Sequence, residues 1–356
     1  MAFITLNREK LRHNYHYLNN LFKKNKVDWA IVSKLLCGNE LFMQEVVDLG
    51  VTEICDSRIS NLATVKKLNP NINTVYIKPP AKRSIERVVQ YADVSFNTEH
   101  TTIEMLSKEA TRQDKIHRVV IMIELGDLRE GIMGDHLIDF YDSVFELPNI
   151  EVVGIGTNLN CLHGTMPSQD KLIQLSLYKQ LVEIKYNKKI PIVTGGTSVV
   201  IPLMNKKQLP KGVNHFRVGE TLFFGNNLVT EKPFKAMKQD VFKLYAEIIE
   251  ITEKPRIPIG ELAVNPSGEM YEVNEEDYGK TSQRAIIDIG LLDVGTDFLI
   301  PDDSKLEIIG ASSDMLVLDL EDTKKKYKVG DLVSFSLKYM GALHLFNSEY
   351  IEKRVI

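Results

Sequence analysis

The sequence predicts an α/β chain: a (β/α)8 barrel of the TIM type followed by a smaller all-β domain. Three observations predict it. The first 225 residues alternate short apolar runs with stretches of helical spacing. Eight such runs fit into roughly 220 residues, the repeat number and length of a closed parallel barrel. Beyond them the texture changes to β-like segments broken by Gly, Pro and Asp clusters. At 356 residues the chain exceeds what one hydrophobic core usually serves, so two domains are the default. The expected division gives residues 7–228 to the barrel and 229–356, joined by 1–6, to the β domain. The switch falls near Asn226–Pro233.

Each strand candidate is short, apolar and rich in β-branched residues, as a buried parallel strand should be. In order they are Trp29–Ser33, Thr52–Cys55, Thr74–Ile77, Val94–Phe96, Val119–Glu124, Val152–Thr157, Ile192–Thr194 and His215–Val218. Helical spacing fills Leu41–Leu49, Ile59–Leu68, Thr101–Lys108, Asp139–Glu146 and Leu172–Tyr186. An open doubly wound sheet competes with the barrel, but no early strand is followed by G-x-G-x-x-G. In the second part Phe242–Glu250, Arg284–Ile289, Lys305–Ile309, Met315–Leu320 and Leu332–Ser336 read as strands. Clusters such as Pro266-Ser267-Gly268 and Pro301-Asp302-Asp303 separate them. Phe3–Leu6 is expected to add a strand to this part.

Composition excludes several classes. With 44% hydrophobic and 26% charged residues the chain is an ordinary soluble one. A formal charge of −4 gives no global reason to bind nucleic acid or an anionic membrane. No apolar run approaches a membrane span, and the first residues lack the basic region of a signal peptide. Cys37, Cys55 and Cys161 are odd in number and lack metal spacing, which argues for a reducing compartment and against disulfides or zinc. A cytoplasmic protein with no metal site is expected.

Barrels gather their chemistry at the C-terminal ends of their strands. Lys34 ends the first strand candidate. A lysine there either snorkels into water or, if desolvated, becomes a nucleophilic amine suited to Schiff-base chemistry. Glu124-Leu-Gly-Asp-Leu-Arg129-Glu-Gly131 follows the fifth strand. Thr157-Asn158 ends the sixth, with Cys161 and His163 beyond. Thr194-Gly-Gly-Thr-Ser198 follows the seventh, and Arg217-Val-Gly219-Glu220 ends the eighth. Loops after the last two strands are the usual phosphate site of a barrel, although Gly-Gly-Thr-Ser is also simply a good turn and N-cap. An amine facing a phosphate cradle describes a site for a phosphorylated aldehyde, of which pyridoxal phosphate is the obvious one.

Val32-Ser-Lys34, Glu124-Leu-Gly-Asp-Leu-Arg129, Gly154-Ile-Gly-Thr-Asn-Leu159, Gly195-Gly-Thr-Ser198, Arg217-Val-Gly-Glu-Thr-Leu-Phe-Phe-Gly225 and Gly310-Ala-Ser-Ser-Asp-Met315 occur in that order. In order and spacing they resemble the alanine racemase superfamily, barrel-type (fold-type III) pyridoxal-phosphate enzymes with a β-rich C-terminal domain. The alanine/ornithine racemase branch is the most similar. The resemblance covers nearly the whole chain. It implies that Lys34 holds the cofactor covalently and serves as one acid/base at the α-carbon. Arg217 would face the pyridine nitrogen, and Arg129 the substrate carboxylate unless it pairs with Glu124 or Glu130. Thr197, Ser198, Gly219 and Glu220 would bind phosphate, the last two through backbone N–H groups. Asn158 stands where the superfamily commonly has a histidine and could hydrogen-bond to Arg217. Tyr339 matches either a phosphate-reaching tyrosine or a core one.

One departure bears on the chemistry. The second base of alanine racemases is a tyrosine from the β domain, reaching across a dimer, and Leu291 stands at or near its place. Leucine cannot move a proton, and a two-base racemisation needs acids on both faces. Cys161, Asp293 or Tyr339 could substitute, against readings of an inert thiol, a turn residue and a phosphate or core tyrosine. A one-base route, with Lys34 swinging between faces, is also open. The expectation is therefore a homodimeric amino-acid racemase with shared sites, acting on ornithine, another basic amino acid or alanine. Asp127, Glu130, Glu220 and Asp293 are candidates to meet a basic side chain. The alternatives are a D-amino-acid aldolase or lyase on the same scaffold, or a non-catalytic pyridoxal-phosphate protein.

Overall fold

The computed structural model describes residues 2–265, 268 and 270–356. Pro266 and Ser267, part of one expected turn cluster, lie outside the described residues. The chain divides into two compact units, one of Asn7–Val241 and one joining residues 2–6 to 242–354.

Strand β1 (Phe3–Leu6) opens the chain, and the helix Arg8–Asn25 follows. Asn7 caps that helix by accepting from the Lys10 N–H, and Lys26 ends it in the left-handed conformation. Then come β2 (Asp28–Val32), β3 (Glu53–Asp56), β4 (Asn73–Tyr76), β5 (Val94–Asn97), β6 (His117–Met122), β7 (Ile150–Gly156), β8 (Ile192–Thr197) and β9 (His215–Val218). All pair in parallel with their sequence neighbours, and β9 returns to β2 with Ile31 opposite Val218, so the barrel closes. Helices alternate with the strands on the outside, as short βαβ connections require. Ala30, Val32, Cys55, Val75, Val94, Phe96, Val120, Met122 and Val153 fill the interior. The competing open sheet is excluded by this closure.

Strand edges differ from expectation at one informative place. The sequence reads Thr194-Gly-Gly-Thr-Ser198 as a turn, whereas β8 continues through Gly195 and Gly196 to Thr197. The reason is packing. A Cβ on Gly196 would come within 2.3 Å of the Phe216 ring, so the bare backbone is what lets β9 press close.

After the barrel a two-residue ribbon pairs β10 (Asn226–Asn227) with β11 (Lys232–Pro233). The second unit is antiparallel, built from β12 (Phe242–Pro255), β13 (Thr281–Ile287), β14 (Leu299–Pro301), β15 (Glu307–Ala311), β16 (Leu316–Asp319), β17 (Leu332–Leu337) and β18 (Glu352–Val355). β1 pairs antiparallel with β12, Phe3 opposite Tyr245, which places the opening strand in this sheet. Alternation is clean: Phe242, Leu244, Ala246 and Ile248 of β12 are buried, as are Val333, Phe335 and Leu337 of β17.

Candidate active site

β2 stops at Val32, and Ser33 anchors the turn beyond it. Its hydroxyl donates to Asp56 Oδ2 at 2.8 Å and its N–H to the Cys55 carbonyl at 2.9 Å, clamping the turn to the end of β3. Burial pushes the Asp56 carboxyl up, against the donors Ser33, Arg58 N–H and Asn61. Lys34 then begins a short 3-10 turn in which Leu35 and Leu36 are buried. The Lys34 side chain itself is exposed at the rim. Of the two readings of Lys34, the structure has the water-exposed one: the strand ends at Val32, one residue before the expected end, and the turn lifts the amine out of the wall. Burial raises the Glu220 carboxyl, and the Lys34 ammonium offsets this only in part.

Below the rim lies Arg217, only 5% exposed. Its Nη1 donates to the Thr194 carbonyl at 2.8 Å and to Thr194 Oγ1 at 2.5 Å, and its Nη2 donates to the Thr157 carbonyl at 2.9 Å. The guanidinium stands 5.2 Å over the Phe96 ring. These three acceptors are neutral oxygens, and burial lowers the pKa of the guanidinium. Asn158, expected to hydrogen-bond to Arg217, does not. Its Nδ2 donates to Glu130 Oε1 at 3.3 Å and to the Cys161 sulfur at 3.2 Å. The carbonyl of Thr157, one residue earlier, takes its place.

Two long loops complete one side of the rim. In the loop after β6, Glu124 accepts the N–H groups of Gly126, Leu128 and Arg129, folding the segment on itself. Gly131, at φ 151°, closes it; a Cβ there would meet the Glu124 nitrogen at 2.2 Å. Arg129 pairs bidentately with Glu130, its Nη2 2.5 Å from Oε1, so the pairing alternative is the one adopted. Asp127 is fully buried and accepts the backbone N–H groups of Cys161, Leu162, His163 and Thr165 at 3.0–3.4 Å. Burial pushes its carboxyl up, but these four donors more than offset that and hold it below the ordinary value. Asp127 ties the loop after β7 to the loop after β6, and this removes it from the candidates for a substrate ammonium. The tie leaves Cys161 exposed on the rim.

Thr197 and Ser198 leave β8 beside Gly219 and Glu220, which leave β9; Thr197 is opposite Arg217 in the register. Ser198 Oγ accepts the Thr221 N–H at 3.3 Å, joining the two loops. A Cβ on Gly219 would lie 2.9 Å from the Val32 carbonyl, so this backbone also closes on β2. In the second unit Asp293 is half-buried and accepts from Ser348 Oγ at 2.7 Å. Leu291 is 41% exposed and donates its N–H to the Ser312 carbonyl. Tyr339 is half-buried at the start of the helix Tyr339–Asn347.

The donor set fits pyridoxal phosphate. It offers an exposed primary amine for the aldehyde, a buried guanidinium for the ring nitrogen, and two joined loops with hydroxyls and close backbone for the phosphate. Sequence reasoning missed Phe96, Glu53 and His215, which with Thr194 build the floor. One signal was available: His215 and Arg217 are two apart on a strand and so share a face.

Comparison with known proteins points the same way. The family described as "Alanine racemase, N-terminal domain" matches residues 6–227. An ornithine racemase of Acetoanaerobium sticklandii is 39% identical over 354 residues, covering 99% of each chain. A lysine racemase of Thermotoga maritima is 28% identical over 98% of this chain and 97% of its own. Among solved structures, an alanine racemase of Bartonella henselae with covalently bound pyridoxal phosphate superposes with a TM-score of 0.75 at 18% identity, covering 100% and 99%.

Proposed function

The chain belongs to the alanine racemase family, and on that premise we propose that it is a pyridoxal-phosphate-dependent racemase of a basic amino acid, ornithine first. One observation carries the reading: an exposed Lys34 in the turn just past β2 and a buried Arg217 on the neighbouring β9, in a chain matched end to end by an ornithine racemase.

Bound pyridoxal phosphate would supply an aldehyde for an amine and a ring that draws electrons from the α-carbon. The chain's own residues do the rest. Lys34 holds the cofactor and moves a proton at one face of the α-carbon. Arg217 can only donate, so it keeps the ring nitrogen unprotonated and moderates the electron pull, which disfavours side reactions. Thr197, Ser198 and the backbone N–H groups of Gly219 and Glu220 take the phosphate, with Tyr339 as a further hydroxyl. Arg129 offers its fork to the substrate carboxylate in exchange for Glu130. Cys161 is the acid/base of the opposite face, its sulfur steadied by Asn158 and its loop by Asp127. Asp293 is the competitor for that role. The working form is a cytoplasmic homodimer. Support for it is the family's expected shared site; no helix of the described residues is long and apolar enough to cross a membrane.

The test is chiral chromatography of the cofactor-loaded protein with D- and L-ornithine, lysine and alanine. Interconversion is expected, fastest with ornithine or lysine. No interconversion of any amino acid in the panel would refute the reading.

A further inference from the structure

A buried polar chain runs through the barrel beneath Arg217, and the proposed chemistry does not use it. Glu53, the first residue of β3, places Oε1 2.9 Å from His215 Nε2. His215, the first residue of β9, places Nδ1 2.9 Å from Thr194 Oγ1. Thr194, 1% exposed, in turn accepts from Arg217 Nη1. Behind Glu53, Asn73 Nδ2 donates to Oε2 at 2.6 Å and is itself held by Arg118 Nη2 at 2.6 Å.

A guanidinium only donates, so Thr194 Oγ1 is an acceptor at that end, and a Thr194 hydroxyl turned toward His215 Nδ1 makes the chain continuous. The imidazole then carries its hydrogen on Nε2 and donates it to Glu53. Burial raises the Glu53 carboxyl, but the His215 and Asn73 hydrogen bonds and the Arg118 charge bring it below the ordinary value, so it is an anion. A buried guanidinium bonded only to two carbonyls and a hydroxyl would otherwise be poorly compensated. Chains of this kind polarise link by link.

We propose that Glu53 and His215 are positioning residues for Arg217: through the Thr194 hydroxyl they set the orientation and effective charge of the guanidinium that meets the cofactor ring nitrogen. The inference rests on the placement of Arg217 in the proposed function. It separates into two readouts. The first is the 15N resonance of cofactor labelled at the ring nitrogen, bound to the full-length protein. Glu53→Gln keeps the shape and can still accept from Nε2–H, but it removes the charge. His215→Leu breaks the chain outright. Both variants should move the ring-nitrogen resonance away from wild type. The second readout is kinetic: kcat should fall about tenfold with KM changed by less than about twofold, since the effect lies on the proton-transfer step and not on binding.

If His215→Leu fails to fold, Glu53→Gln decides alone. Variants that melt earlier but keep the wild-type ring-nitrogen resonance and kcat would reduce the chain to a structural role and overturn the inference. Absence of bound cofactor in the wild-type protein would instead sink the proposed function.

Discussion

At the scale of single residues, Lys34 and Cys161 carry the testable chemistry. Replacing Lys34 by Ala removes the amine that would hold the cofactor. The purified protein should then lose its visible cofactor absorbance and all exchange at the α-carbon, as an essential nucleophile predicts. Cys161→Ala should behave differently. It should slow racemisation by at least about a hundredfold, the usual contribution of one acid/base group, while leaving deuterium exchange from one enantiomer intact. Full two-way activity in that variant would transfer the role to Asp293 or to Lys34 acting alone. Lys34 and Arg217 were legible because strand-end position has a chemical meaning in a barrel. Their surroundings were not. Glu53 and His215 lie 162 positions apart, and only barrel closure brings them to 2.9 Å.

At the scale of elements, the loops after β6 and β7 act as one piece through Asp127. Asp127→Asn deprives buried N–H groups of acceptors and should cost about 1–3 kcal/mol in denaturant unfolding, with faster hydrogen exchange at residues 161–165. The pH sign comes from its depressed pKa. The carboxylate's contribution is complete above the ordinary Asp value and fades as pH falls through the folded value. The stability gap between wild type and variant should therefore narrow in acid. His117 of β6 gives a second sign. Burial lowers its pKa to about 4, with its Nε2 2.8 Å from Ser95 Oγ. A neutral buried histidine must charge on unfolding, so stability is full above the ordinary value of about 6.5 and is lost as pH falls toward 4. His117→Gln should flatten the melting temperature across that window. These ties escaped sequence reading because the Asp127 donors are backbone groups, which carry no residue signature. The turn expected at Gly195-Gly196 failed for a related reason: its partner is the Phe216 ring on the next strand.

At the scale of the whole molecule, periodicity alone predicted two architectures in one chain. Eight apolar runs became a closed barrel, and the alternating segments after residue 242 became an antiparallel sheet that also takes β1. What periodicity could not convey is which face of the α-carbon each acid serves, since that depends on loops. The central claim is that one site moves a proton on both faces. Proton NMR in D2O combined with chiral chromatography of the same samples tests it most directly, with the cofactor-loaded protein and pure D- or L-ornithine in parallel. Both samples should converge on the same equal mixture of enantiomers while the α-proton signal disappears. Loss of the α-proton without inversion, or no change in either sample, would contradict the account.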